Sequence, residues 1–412
     1  MTVALIWLVF LAGILLMLLR PRSIPEWIWI GGAALLLVAA RLIPLSAALH
    51  TVRQGFDVCL FLAGMMILAE LAREEGVFDW IAEIAVRRAR GSSSRLFFLV
   101  YLSGTIVTAL LSNDATAVVL TPAVLAAARR ARVHPRPCLL ACAMVANAAS
   151  FVLPISNPAN LVVFQPHLPP LGAWLRALLL PAFAAVAATF LVLRIIERRE
   201  LAEPVASAQL PARLQPAGRL ALLGILIAAA ALLVASGFGI PLGAPTLAAA
   251  ILAMILVATL DRSAPRTALR QVSWSVLPLV AGLFILVSAL NRAGLTRMAQ
   301  DALHWLAHTP DGSGKFVSAF AVAALSNAMN NLPVGLAAGS ALRQVAHAPV
   351  IAHAVLIGVD LGPNLSVTGS LATILWLIAL RREHEEITAW QFLRVGLLVM
   401  PISLALALLA LR

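Results

Sequence analysis

A chain of 412 residues that is 62% hydrophobic and only 12% charged leaves no room for a sizeable soluble domain. Its net charge of +12 is no sign of nucleic acid as a partner, because arginines at the cytoplasmic ends of membrane helices account for it. Lys315 is the only lysine.

The apolar run Thr2 to Leu19 has no basic leader, and Arg20 and Arg22 follow it. That order predicts a retained helix with its amino end outside rather than a cleaved signal. Helices are expected at 27–45 and 56–72, near the ~20 apolar residues that a crossing needs. Val77 to Arg90 is amphipathic and ends on Arg87, Arg88 and Arg90, as a segment lying along the cytoplasmic interface would. Residues 96–128 read as a hairpin that enters and leaves on one side. Its arms, Leu96 to Leu111 and Val118 to Ala128, are short for a crossing, and Ser112-Asn113-Asp114-Ala115-Thr116 lies between them. The hairpin closes on Arg129-Arg130-Ala131-Arg132. The helix expected at 137–166 breaks at Pro154-Ile155-Ser156-Asn157-Pro158-Ala159-Asn160, where two prolines remove backbone donors. A helix at 172–193 ends a first half, 1–193.

Residues 194–219, rich in Pro, Ala and charge, are expected to form a cytoplasmic linker. The second half, 220–412, repeats the order. Helices at 220–236, 245–260 and 274–291 lead to an amphipathic stretch, Leu295 to Ala307. A hairpin at 316–342 follows, around Ser326-Asn327-Ala328-Met329-Asn330-Asn331. The helix at 350–380 is interrupted at Asp360-Leu361-Gly362-Pro363-Asn364 and at Thr368-Gly369-Ser370. A last helix spans 389–411. Phe61-Leu62-Ala63-Gly64-Met65 answers Leu279-Val280-Ala281-Gly282-Leu283, and Ser112-Asn113 answers Ser326-Asn327. The fold class is an all-α polytopic membrane protein with about 10 transmembrane helices and two re-entrant hairpins.

With the amino end outside, most basic residues fall on the cytoplasmic side. The exceptions are Arg41, Arg53, Arg176, Arg292, Arg297, Lys315, Arg343 and Arg412, with Arg394 inside the last span. This bias places the first hairpin on the cytoplasmic side and the second outside, an inverted repeat.

Hydrocarbon cannot satisfy hydroxyls and amides, so the polar interruptions must be buried in protein or line a wet cavity. Two matching sets in two halves point to a substrate site at the midplane. Ser112, Asn113, Thr116, Ser156, Asn157, Asn160, Ser326, Asn327, Asn330, Asn331, Thr368, Ser370 and Thr373 would form a neutral hydrogen-bonding cage. No arginine within the spans stands at the interruptions, where it could clamp a dicarboxylate or sulfate. Such a cage suits a small neutral polyhydroxyl solute or a desolvated cation. Asp114 and Asp360 are the carboxylates at the interruptions, and a charge there is expensive enough to mark a functional group. Both are candidates to carry protons. Asp57 and Glu70 sit nearer helix ends and read as interfacial. His353, about a turn or two before Asp360, reads as a packed histidine.

Cys138 and Cys142 lie one helical turn apart and could bind a soft metal as thiolates. With no third thiol or histidine at helical spacing, they read better as small buried hydrophobes. His384-Glu385-Glu386 lacks the second histidine of a zinc motif. No cofactor is expected, and without a phosphate loop any use of ATP would need a partner protein.

Three runs together resemble a known family. They are Ser112-Asn113-Asp114-Ala115-Thr116-Ala117-Val118-Val119-Leu120-Thr121-Pro122, Ser326-Asn327-Ala328-Met329-Asn330-Asn331-Leu332-Pro333, and Asp360 to Asn364 continued through Gly369-Ser370-Leu371-Ala372-Thr373-Ile374-Leu375-Trp376. They are similar to the arsenical pump membrane protein family, ArsB. That family belongs to the ion transporter superfamily, with sodium–dicarboxylate symporters and NhaD-type antiporters. The resemblance covers nearly the whole chain, and the second half carries its more specific part. Asn364 departs from it, standing where many relatives are expected to have Lys. The resemblance implies export of arsenite and antimonite in exchange for protons across the inner (cytoplasmic) membrane of a prokaryote. It also implies that an ArsA-type ATPase can dock. A sodium/proton antiporter or organic-anion carrier of the same superfamily stays open as the second reading.

Overall fold

The computed structural model describes residues 2–165, 167–202, 213–307, 312–343, 349–385 and 387–412. The linker expected at 194–219 therefore lies partly outside the described residues, as does position 166. All regular structure among the described residues is helical. The first half runs α1 (Thr2–Leu19), α2 (Glu26–Ala39), α3 (Leu45–Gln54), α4 (Phe56–Glu74), α5 (Val77–Ala89), α6 (Ser93–Leu110), a π-helical turn (Ala115–Leu120), α7 (Thr121–Arg130), α8 (Arg136–Ala148), α9 (Pro158–Phe164) and α10 (Leu171–Ile196). The second runs α11 (Pro216–Gly237), α12 (Gly243–Ala258), α13 (Ala264–Gln271), α14 (Val276–Arg292), α15 (Leu295–Ala307), α16 (Gly314–Met329), α17 (Asn331–Leu342), α18 (Pro349–Leu361), α19 (Leu371–Arg382) and α20 (Ala389–Ala410).

The helix expected at 27–45 is corrected: α2 stops at Ala39, and Pro44 precedes a separate helix, α3. α13 is its counterpart in the second half and was also unforeseen. Among the described residues six stretches are long and apolar enough to cross a membrane, a seventh if α3 and α4, bent by 48°, make one span. Four more apolar helices are shorter. The exposed faces of these helices carry large side chains such as Leu8, Leu35, Phe183, Ile195 and Leu409. An apolar exterior of this extent suits lipid. This is a polytopic membrane protein.

Packing follows the repeat. α4 packs on α12, and its counterpart α14 packs on α2. Gly64 and Gly282, matched in sequence, make these approaches possible. A Cβ on Gly64 would stand 2.8 Å from the Thr246 carbonyl, and one on Gly282 would stand 3.3 Å from the Ile30 backbone. α10 and α20 pack on each other. Trp174 and Leu178 at the start of α10 share an apolar cluster with Leu404 and Leu408 near the end of α20. Leu193, near the end of α10, shares another with Phe392 and Val395 at the start of α20. The two helices are thus antiparallel.

The ends of each hairpin meet one end of α10. The first begins at Ser93, beside His134 and Glu200, and Arg136 just after it pairs with Glu197 where α10 ends. The second begins where Lys315 Nζ donates to Leu411 O. It finishes where Arg343 donates to Gln165 O, shortly before α10 begins.

Candidate transport site

Both breaks are built by helix caps. Pro154 opens a 3-10 turn, and Asn157 Oδ1 then accepts from Ala159 N at 3.0 Å to start α9. Ser370 Oγ accepts from Thr373 N at 3.1 Å to start α19. A side-chain oxygen at this position satisfies one of the donors that a helix start leaves free. The first hairpin turns at Leu111, and Ser112 Oγ accepts from Ala115 N at 3.2 Å. The turn Ala115–Leu120 is π-helical, a rare form that often sits at functional sites. Thr116 Oγ1 lies 2.8 Å from Thr108 Oγ1, and Thr121 Oγ1 donates to Thr116 O.

The first tip faces a cavity of about 60 Å³. Its lining includes Ser112, Asp114, Met65, Met66, Glu70 and Ser273, together with Pro158 and Leu371, the first residues of α9 and α19. Asp114 is half-buried there. Asn113, next to it, is buried and its Oδ1 has no partner among the described residues. Glu70 is held by Arg73 Nε at 2.6 Å. Among the described residues no basic side chain lines this cavity.

The second tip is stitched shut. Asn327 Nδ2 donates to Ala323 O and Gly362 O, both at 2.8 Å. Its Oδ1 accepts from Ser366 Oγ at 2.6 Å, and Thr368 Oγ1 donates to Asn327 O. Asn330 has φ 77° and caps α17 through Leu332 N. Asn331 and Ser326 are buried beside it, and Ser326 Oγ has no partner among the described residues.

The two breaks meet across the halves. Asn157 Nδ2 donates to Asp360 Oδ1 at 2.8 Å, while Oδ2 of the same fully buried Asp360 has no partner among the described residues. Asn147 Nδ2 donates to Asn364 Oδ1 at 3.0 Å and reaches Thr373 Oγ1 at 3.4 Å. Thr373 Oγ1 in turn lies 3.0 Å from Ser370 Oγ. Ser156 Oγ donates to Ala109 O, tying the first break to the first hairpin. Asn160 spends its Nδ2 on the carbonyls of Ser150, Leu153 and Pro154.

The polar residues therefore fall into a cavity-facing set and a set that knits the breaks. Asn147 was not foreseen. A lone amide in an apolar helix reads as packing, and its partner lies in the other half. Cys138 and Cys142 are buried in an apolar cluster with Val86, Leu96 and Val124. Among the described residues no group of three or more His, Cys, Asp or Glu could hold a metal.

A citrate transporter family model matches residues 1–362. The arsenical pump membrane protein of Escherichia coli is 32% identical over 362 residues, covering 84% of each chain. The chain belongs to the arsenical pump membrane protein family. The protein of that name from Yersinia enterocolitica is 31% identical over 372 residues, again with 84% of each chain covered. An uncharacterised transporter of Mycobacterium tuberculosis is 28% identical over 395 residues, with 87% of this chain and 86% of that one covered. Among solved structures, the YdaH transporter of Alcanivorax borkumensis aligns with a TM-score of 0.56 at 17% identity, covering 84% of each chain. That likeness concerns the fold alone. Membership in this family makes the chain a transporter.

Proposed function

We propose that the protein exports arsenite, and antimonite with it, in exchange for protons, by alternating access around a site near the midplane. The observation that carries this reading is the cavity at the first tip. It offers hydroxyls and a carboxylate that, among the described residues, is not tied to any cation and has no basic side chain beside it in the lining. Trivalent arsenic at neutral pH is mainly the uncharged trihydroxide, which such a set can hold without a counter-ion. Citrate or another organic anion would need a positive partner there. A cation carrier would use carboxylates, but Glu70 is already held by Arg73, so only Asp114 is left.

An uncharged solute gains nothing from the membrane potential, so uphill export requires coupling to an ion. Asp114 is the proton carrier in this reading. Asp360 is the alternative, farther from the cavity and bonded to Asn157. Antiparallel α10 and α20, and hairpins whose ends lie at opposite ends of α10, support an inverted repeat with both hairpins re-entrant. The sequence has no phosphate loop, so ATP-driven export would need a separate ArsA-type ATPase subunit.

Everted membrane vesicles test the reading. Acidifying the lumen should drive arsenite uptake that a protonophore abolishes. Uptake of citrate under the same gradient, or sodium exchange without arsenite uptake, would overturn it.

A further inference from the structure

Each hairpin's outgoing arm ends on an arginine. Arg129 lies in the last turn of α7, and Arg343 directly follows α17. They are separated by the same interval as Ser112 and Ser326, so they hold the same position in the two halves. Each donates to the carbonyl of the residue that ends the other half's broken helix. Arg129 Nη2 donates to Glu383 O, at the end of α19. Arg343 Nη1 donates to Gln165 O, at the end of α9, at 3.0 Å. The two stand on opposite faces. Gln165 lies just before α10 begins, whereas α7 leads into the loop whose Arg136 pairs with Glu197 at the far end of α10. That helix has 26 residues, roughly 39 Å at its standard rise.

The latches differ in strength. Arg129 also pairs with the Glu385 carboxylate at 3.0 Å and the Glu383 carboxylate at 3.5 Å. Arg343 has no carboxylate within 4.0 Å among the described residues. The cavities differ in the opposite sense. Met66, Ala69 and Glu70 of α4 line the cavity of about 60 Å³, which lies towards the Arg129 face. Their counterparts by the Gly64–Gly282 interval, Phe284, Val287 and Ser288 of α14, line a chamber of about 470 Å³ that includes Arg343 itself. One vestibule is thus built twice, narrow behind the reinforced latch and wide behind the single bond.

We infer that Arg129 and Arg343 are the gate residues of the two faces, and that this conformation is held firmly closed at Arg129 and only by a single bond at Arg343, in front of the wider chamber. The chamber lined by Gln54, Asn291, Ser340 and Arg343 is then the release vestibule for a small uncharged polyhydroxyl solute. The solute's identity rests on the export reading; the gates do not.

The test reads access rather than transport. In full-length protein with its three cysteines replaced, Ala69→Cys, buried in the lining, reports on the narrow cavity and Ser288→Cys on the chamber. An impermeant thiol reagent is applied from the cytoplasmic side in everted vesicles and from outside in right-side-out ones. Arg129→Gln should speed cytoplasmic labelling at 69 about fivefold and slow outside labelling at 288, a size set by pairs that are partly exposed. Arg129→Lys, which keeps the charge but loses the fork, should fall between. Arg343→Gln should change labelling at 288 by no more than about twofold, since the one hydrogen bond lost is exposed to solvent. The proposal fails if Arg129→Gln and Arg129→Lys leave both rates within twofold of the parent. It also fails if Arg129→Gln moves both rates in the same direction, which general loosening would do. A labelling shift without arsenite transport would keep the gates and remove the cargo.

Discussion

At the first hairpin tip Ser112 and Asp114 face a cavity, and Asn113 beside them keeps an oxygen without a partner. At the second, the matching Asn327 spends both ends of its amide on Ala323, Gly362 and Ser366. The same dipeptide thus does two jobs. One copy is kept available, which a binding site needs. The other rivets a hairpin to the neighbouring break, which holds that break in place. Equal sequence in two repeats does not give equal roles, because the surroundings decide which polar atoms stay free.

The largest effect should come from the rivet. Asn327→Ala removes three hydrogen bonds at once, to Ala323 O, Gly362 O and Ser366 Oγ, costing about 2–3 kcal/mol. The melting temperature of the purified protein should drop accordingly; an unchanged one would erase the distinction between the tips. Asn157→Ala comes next. It leaves the buried Asp360 with neither oxygen bonded, at a cost of about 1–3 kcal/mol, and lower thermal stability should accompany loss of transport. Asn113→Ala sharpens the contrast, since it removes an unsatisfied buried group. Arsenite transport should fall about tenfold, equivalent to one lost hydrogen bond of ~1.4 kcal/mol, while the melting temperature holds or rises. A drop in melting temperature as large as that of Asn327→Ala would make both tips structural.

Smaller effects lie away from the tips. Glu197, at the end of α10, is pushed up to about 7 by burial, opposed by Arg136 and helped by Glu200. A carboxyl raised in the folded state contributes stability below its ordinary range near 4.5 and loses it as pH rises through about 7. Between pH 5 and 8 the protein should therefore lose about 1 kcal/mol relative to Glu197→Gln, after discounting for solvent screening. Thermal melts of the two at each pH check this. Cys138→Ser and Cys142→Ser should retain most transport. An essential pair would shift recognition from the tips to thiolates.

Much of the helical order was legible because long apolar runs and paired prolines are strong local signals. α3 and α13 were missed because Leu45-Ser46-Ala47-Ala48-Leu49-His50 and Ala264-Pro265-Arg266-Thr267 are too short and polar to resemble spans. The polar residues at the breaks were legible as a set, since an amide in a membrane helix stands out. Their division into free and committed groups was not. Asn113 and Asn327 look alike in sequence, and only the approach of Gly362 and Ser366 separates them. Asn147 was invisible for the same reason, its meaning residing in Asn364 and Thr373 of the other half.

In the proposed cycle the first tip holds an uncharged solute and exchanges it for a proton at Asp114. Asp114→Asn keeps the shape and removes the titration, so everted vesicles carrying it decide the matter. Downhill exchange of arsenite should persist, and accumulation driven by an acid lumen should vanish. Proton-driven accumulation at the parent rate in Asp114→Asn would contradict the account.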